Sequence, residues 1–411
     1  MRRLAPAIAL LACLALLPGT ASVAAVRTPV PEHDPFYVVP SDIASYADGQ
    51  VVASRTIAPK AFDIPLPAQG WQLKYRTEDR AGAPTATVTT LLVPNKPWPG
   101  PGPRPLVSYQ TAEDGVAGKC APSYAFNAGP VAAASNSYPE LSLIALALGR
   151  GWAVSVPDYE GPDSEFLVAA VEAKGVLDGI RAARSFAPAG VAPDAPVGVW
   201  GYSGGALASL DAAQYQPTYA PDVPLTALAL GGVVADIRAS IEAFSGSAFG
   251  GAIPMGINGF LRGYPDLDLM QYLNASGRRK VLATAGDCIH NAVLRYPFLR
   301  IQQIEATPGA LDRAPVAAML RENSPLYVDR IPQVPIYHYH AKLDELAPIG
   351  PARAVMRRFC SQGVVVQNVE DLLGEHLSEA GSGAPGALRF LADRFAGVAP
   401  TNDCASIPGG S

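Results

Sequence analysis

Short apolar runs recur along the chain at 88–93, 106–110, 152–156, 197–200, 225–230, 334–340 and 364–369. Runs of this length between Gly- and Pro-rich breaks predict strands buried on both faces. Between them, Val176, Leu177, Ile180 and Ala183 within 172–186 follow the helical period, as do the apolar positions of 388–395. Buried strands alternating with helices predict an α/β fold with a mostly parallel central sheet covered on both faces. The segment 235–330 breaks the alternation: a Gly- and Phe-rich piece, 244–260, leads into helix-like stretches with no strand pattern. Insertions of this length in compact domains usually serve a site. The expectation is therefore a core in two parts, 25–234 and 331–411, with 235–330 inserted as a mainly helical cap or lid. Its residues Phe244, Phe249, Ile253, Met255, Ile257, Phe260 and Leu261 are candidates for an apolar lining.

The amino terminus adds a compartment. Met1-Arg2-Arg3, an apolar stretch to Leu17 and the small residues Ala21-Ser22-Val23-Ala24-Ala25 form the layout of a cleaved secretory signal over 1–24. Pro6 and Pro18 bound a stretch shorter than the ~20 apolar residues of a membrane span, so no stable membrane insertion is expected. Cleavage near Ala24 removes Cys13 and leaves Cys120, Cys288, Cys360 and Cys404. In a secreted chain four cysteines read as two disulfides, and spacing alone leaves three connectivities open. None of the four forms a C-x-x-C pair, which argues against zinc, and no metal or other cofactor is expected. A net charge of −5, with 16% charged residues and no basic block, excludes a nucleic-acid footprint and favours a neutral or apolar partner.

Candidate chemistry centres on Gly201-Tyr202-Ser203-Gly204-Gly205. A bare G-x-S-x-G arises by chance in roughly one chain in five of this composition. Its setting makes it specific: an apolar strand ends at Trp200 and a helical stretch begins at Ala206. A serine on such a strand-to-helix turn is exposed as a nucleophile, and the N–H of the following residue, Gly204, faces the oxyanion that forms on attack. A serine hydroxyl needs a base, and on this kind of scaffold the order is Ser, then Asp or Glu, then His. Of His33, His290, His338, His340 and His376, only His376 lies in a loop after a late strand. His338 and His340 share one face of a strand and are expected to pack or to support other groups. The acid should follow the strand ending at His340, where Asp344 precedes Glu345, and Asp344 is preferred.

These segments, together with others, resemble the secretory lipase family, a yeast lipase A-like branch of the α/β-hydrolase superfamily. The resemblance is carried by Val107-Ser108-Tyr109-Gln110 with Glu113-Asp114, by Cys120-Ala121-Pro122-Ser123-Tyr124, and by Asp158-Tyr159-Glu160-Gly161. It continues through Leu177-Asp178-Gly179-Ile180, the serine turn, Tyr296-Pro297-Phe298-Leu299, Asp344-Glu345 and Glu375-His376-Leu377. It implies Ser203, Asp344 and His376 as a triad, Asp114 and Gly204 at the oxyanion hole, and disulfides joining Cys120 to Cys288 and Cys360 to Cys404. Tyr159 stands where the family often has histidine, so it is expected to lie outside the chemistry. The family archetype's C-terminal flap, beyond the position of Cys404, is expected to be missing here.

The implied function is a secreted serine-dependent lipase acting on acyl esters, with acylglycerols as the expected substrate. A short-chain esterase or an acyltransferase would use the same triad, and a lipid-binding protein on this scaffold would use none of it. An ionised Asp114 side chain accepts hydrogen bonds and cannot donate one to an oxyanion. Either its carboxyl is protonated or its backbone N–H donates, and the backbone is expected to supply at least part.

Overall fold

The computed structural model describes residues 28–132 and 135–409, so the expected signal at 1–24 lies outside the described residues. Among the described residues eleven strands form in chain order: β1 (Val51–Ile57), β2 (Lys60–Ala61), β3 (Ile64–Pro65), β4 (Ala68–Glu78), β5 (Pro84–Pro94), β6 (Leu106–Gln110), β7 (Ala153–Pro157), β8 (Val197–Tyr202), β9 (Leu225–Gly231), β10 (Ile336–Ala341) and β11 (Val366–Asp371). β2 and β3 make a small separate pair, and the rest form one sheet in the order β1-β4-β5-β7-β6-β8-β9-β10-β11. From β7 to β11 every pairing is parallel, whereas β1, β4 and β5 run antiparallel at one side. β6 and β8 are buried along their whole length, and in β6 the polar Ser108 and Gln110 bond to each other, Gln110 Nε2 donating to Ser108 Oγ at 2.7 Å.

The antiparallel side was not expected. In β4 the apolar Trp71, Leu73 and Tyr75 alternate with Gln72 and Lys74, a pattern of one wet face, yet both polar residues are buried. Gln72 Nε2 donates to the carbonyl of Ser123 at 2.6 Å and Lys74 Nζ to that of Val38 at 2.8 Å, so the polar ends are satisfied inside.

Helices cover the sheet on both sides. Ala169–Ser185 and Gly204–Tyr219 pack against each other and share a cluster with Leu73, Leu106, Val197, Val199 and Leu228. Ser137–Gly149 and Ala384–Phe395 belong to a second cluster with Val107, Tyr109, Trp200 and Ala229. Successive residues of β6 and β8 thus enter different clusters, the period of a strand buried on both faces. Between β9 and β10 the segment 235–330 is helical without a strand: Ile237–Phe244, Ala252–Gly263, Ala275–Thr284, Ile289–Arg295 and Ala314–Glu322 are its α-helices. It has small cores of its own, one around Ile253, Val281 and Ile304, another joining Phe260, Leu269 and Met319 to Val168 and Val171.

Disulfides join Cys120 to Cys288 and Cys360 to Cys404. The first fastens the loop after β6 to the helical segment, the second the helix Ile349–Ser361 to the chain beyond β11. Each is worth about 2–4 kcal/mol, chiefly by restricting the unfolded chain.

Candidate active site

Parallel strands deliver the loops at their carboxyl ends to one edge of the sheet, and the candidate site lies there. Ser203 follows β8 at φ 55°, ψ −122°, a backbone conformation rare outside glycine, and caps the helix Gly204–Tyr219. The strain is held by close contacts that only glycine permits. A Cβ on Gly201 would sit 2.2 Å from the Gly205 carbonyl oxygen, and one on Gly205 would sit 2.0 Å from that of Gln110. Ser203 N–H donates to the carbonyl of Gly231 at 2.9 Å, fixing the turn against β9.

His376 opens the helix His376–Ser382 and is buried. Its Nε2 lies 2.7 Å from Ser203 Oγ and its Nδ1 2.7 Å from Asp344 Oδ2. The backbone of His376 is gripped at both ends: Tyr202 Oη donates to its carbonyl, and its N–H donates to Glu345 Oε2 at 3.3 Å. Glu345 therefore meets the main chain, while Asp344 meets the ring.

Asp344 receives backbone N–H groups from Leu346 and Ala347 on Oδ1, at 3.0 and 2.7 Å. A second imidazole, His340, places Nε2 3.2 Å from Asp344 Oδ2 and 2.8 Å from the carbonyl of Ala347. Burial opposes ionisation of Asp344, but hydrogen bonds from His340 and His376 and the closeness of both rings outweigh it and hold the carboxyl well below the usual range. His338 is equally buried and bonds through Nδ1 to Asn368 Oδ1 at 2.7 Å; burial lowers its pKa to about 3, so the ring is neutral. His338 thus faces Asn368, and His340 bonds the carboxylate of Asp344.

The loop after β6 brings Asp114 to Gly204. A Cβ on Gly204 would lie 2.1 Å from Asp114 Oδ1, so only glycine lets the two approach. Asp114 adopts φ 36°, its carbonyl accepts from Ile289 N–H at 3.0 Å, and Oδ2 accepts from Asn136 Nδ2 at 3.1 Å. Burial raises its carboxyl to about 6, against the lowering effects of the Asn136 bond and of nearby His376 and His290. Above that pH only the backbone N–H of Asp114 can donate; below it, a protonated carboxyl adds a donor. Gly204 N–H, in the first turn of its helix, has no acceptor within that helix. The Tyr159 hydroxyl donates to the Thr111 carbonyl at 2.7 Å and accepts from Glu113 N–H at 3.1 Å, bracing the Asp114 loop.

Ser203, His376, Asp114 and Gly204 open into a cavity of about 510 Å³, a size suited to a small-molecule site. Its apolar wall includes Phe244, Phe249, Ile253, Ile257 and Phe260. Two expected lining residues are elsewhere. Met255 packs against Val116, Phe166 and Ala292, and Leu261 against the small cores of the helical segment. Ile253, Ile257 and Phe260 stand four and three residues apart on one helix face, and Met255 falls on another. His340 takes the supporting place that the strand face allowed it, whereas Asn136 and Tyr202 join the site without having been expected there; of these two only Tyr202 carries a sequence signal, its place inside the serine turn. Among the described residues no group of three or more His, Cys, Asp or Glu could hold a metal, and no helix is long and apolar enough to cross a membrane.

A parallel sheet carrying a serine on a strained strand-to-helix turn defines an α/β-hydrolase. The family model described as secretory lipase matches residues 130–403, more than half of the chain, and the chain belongs to that family. Lipase 10 of Candida albicans is 34% identical over 390 residues, covering 91% of this chain and 83% of that protein. A probable inactive lipase of Mycobacterium tuberculosis is 34% identical over 377 residues, covering 90% and 84%. The closed-state crystal structure of Candida antarctica lipase A superposes with a TM-score of 0.86 at 30% identity, over 93% of this chain and 91% of that one. Family membership supports serine-hydrolase-type, ester-cleaving activity.

Proposed function

We propose that the protein is an exported lipase that cleaves acylglycerol esters through an acyl-enzyme on Ser203. The observation that carries this reading is the chain of two 2.7 Å hydrogen bonds from Ser203 through His376 to Asp344, opening into an apolar cavity. Ser203 Oγ attacks the ester carbonyl carbon and passes its proton to His376 Nε2. Asp344 holds the ring by Nδ1 and stabilises the imidazolium. The negative oxygen is met by the N–H groups of Gly204 and Asp114, joined by the Asp114 carboxyl when protonated. His376 returns the proton to the departing alkoxide as the carbon–oxygen bond breaks. Water then attacks the acyl-enzyme, yields a proton to His376, and releases the acid as Ser203 is regenerated. The segment 235–330 serves as the cap, its apolar wall holding the acyl chain, and a signal cleaved near Ala24 directs export.

The test is a series of p-nitrophenyl esters of increasing acyl length together with emulsified triolein, run beside Ser203→Ala. A lipase gives rising rates with chain length, hydrolysis of triolein, and loss of about 10⁶-fold in kcat in the variant. Activity confined to the shortest esters would make it a short-chain esterase, and ester formation outrunning hydrolysis with added alcohol would make it an acyltransferase. The name of the mycobacterial relative favours one further reading, a non-catalytic lipid binder, which fails if the wild-type chain turns over any of these esters.

A further inference from the structure

The backbone N–H groups of the loop after β6 can be accounted for one by one. Ala112 N–H donates to Glu140 Oε1 at 2.8 Å. Glu113 N–H is shared between the Thr111 carbonyl at 2.8 Å and the Tyr159 hydroxyl at 3.1 Å. Gly115 N–H goes to Glu160 Oε1 at 3.4 Å, and Val116 N–H to the Asp287 carbonyl at 3.0 Å. Of the N–H groups from 112 to 116, only that of Asp114 has no acceptor among the described residues. Asp114 is itself buried and lines the cavity that holds Ser203. Buried backbone donors are nearly always paired, so a loop that spends every neighbouring donor and leaves this one free keeps it for a ligand.

The pairing is imposed largely from one turn of one helix, the start of Ser137–Gly149. Glu140 spends both carboxyl oxygens on the loop: besides Ala112 N–H on Oε1, Oε2 accepts from Tyr109 Oη at 2.6 Å. One carboxyl thus ties β6, near its end, to the main chain three residues further on. Ser137 Oγ lies 2.8 Å from Thr111 Oγ1, and Asn136 Nδ2 donates to Asp114 Oδ2 at 3.1 Å. Those two meet side chains, whereas Glu140 holds the backbone, two residues before the free N–H. Without its carboxyl, Ala112 N–H loses its acceptor and the loop turns to satisfy it, carrying the Asp114 N–H off its line.

We infer that Glu140 is a positioning residue for the oxyanion, holding the loop so that Asp114 N–H is the donor left free to act with Gly204 N–H. It rests on the ester-hydrolase reading above and adds the group that sets the hole. The clamp works in either protonation state. Ionised, the carboxyl accepts from both Ala112 and Tyr109; protonated, it accepts from Ala112 and donates to Tyr109 Oη. A glutamine offers that second arrangement, with an amide oxygen for Ala112 and an amide N–H for Tyr109.

The test measures kcat and KM on dissolved p-nitrophenyl butyrate for the wild type, Glu140→Leu and Glu140→Gln, with the thermal midpoint of each. Beside this, affinity is measured for an alkyl trifluoromethyl ketone and for the matching trifluoromethyl carbinol. Ser203 Oγ adds to the ketone carbon, its proton passes to His376 Nε2, and the former carbonyl oxygen carries the charge, an adduct seen by fluorine NMR. The carbinol fills the same cavity but cannot add. Glu140→Leu is expected to lose about thirtyfold in kcat with KM within about twofold, and to weaken the ketone about as much while sparing the carbinol. Glu140→Gln recovers most of the loss. A Glu140→Leu variant within about threefold of wild type in kcat overturns the proposal. So does a loss shared equally by the carbinol and not recovered by glutamine, which marks support of the scaffold alone. Should Glu140→Leu not fold, Glu140→Asp, one methylene short of the loop, is read in the same way: about tenfold lost in kcat is expected, and less than about twofold overturns the proposal. If the wild type forms the ketone adduct but hydrolyses no ester, the ester-cleaving reading fails and Glu140 is judged on ketone affinity. A folded wild type that does neither overturns both.

Discussion

The loop around Asp344 and the wall behind Asp114 both bury carboxyl groups, but they treat the charge in opposite ways. Asp344 is met by two backbone N–H groups and two imidazoles, and these donors hold it ionised despite burial. Behind Asp114, Glu113, Glu160 and Glu172 are buried next to one another with few donors. Glu160 receives Gly115 N–H at a long 3.4 Å, Glu172 receives Leu167 N–H at 2.9 Å, and each of the three has an oxygen with no hydrogen-bond partner among the described residues. Burial, reinforced by repulsion from neighbouring carboxylates, pushes all three carboxyls well above the usual range. The difference teaches that the supply of donors, more than depth, decides which buried acid keeps its charge. A site needs a fixed charge beside His376 and neutral packing behind the loop that faces the substrate.

The sharpest way to break the contrast is to neutralise one acid of each kind. Asp344→Asn should cost about 10⁴ in kcat on a dissolved p-nitrophenyl ester with the fold intact, because the ring loses its orienting anion. Asp114→Ala should cost no more than about a hundredfold in kcat, because the backbone N–H remains to meet the oxyanion; a loss of several orders of magnitude beyond that, without structural change, would mean the side chain does the work. His340→Leu removes one of the two rings on Asp344 and should lower kcat about tenfold with KM unchanged, with His340→Gln recovering part of the loss. Glu160→Gln should change kcat/KM by less than about threefold, since burial already disfavours its charge and it lies behind the loop that carries Asp114.

The two regions also give stability opposite slopes with pH. A carboxyl whose pKa is raised by folding keeps its proton in the folded chain after the unfolded chain has lost it. Its stabilisation is full below the unfolded value near 4.5 and is lost as pH rises through the folded value. Burial raises Asp158 to about 7 and Glu140 to about 8, over the opposing bonds from Ser123, and from Tyr109 and Ala112, respectively. Asp344, depressed on folding, contributes in the other sense: its stabilisation is present above the unfolded value near 3.9 and is lost as pH falls below it. Urea midpoints should therefore fall between pH 5 and pH 8, and Glu160→Gln should flatten that decline. A midpoint rising over the same interval would contradict the raised carboxyls.

How much could be read in the sequence divides along the same physical line. Most of the parallel strands announced themselves as short, mainly apolar runs, and the serine turn could be picked out because close contacts dictate its glycines. β4 escaped notice because Gln72 and Lys74 find their partners only once Ser123 and Val38 are folded against them. Asn136 was silent for the same reason, since nothing local distinguishes a polar residue that will bond an acid across the fold. Met255 was misassigned because a helix rich in apolar residues on more than one face does not say which face meets the cavity.

The central claim is that Ser203 is the nucleophile, and the most direct measurement is fluorophosphonate labelling followed by peptide mass spectrometry. A single adduct on the peptide holding Gly201 to Gly205, absent from Ser203→Ala and much slower to form in Asp344→Asn, is the expected result. An adduct elsewhere, or none on a folded wild-type chain, would contradict it.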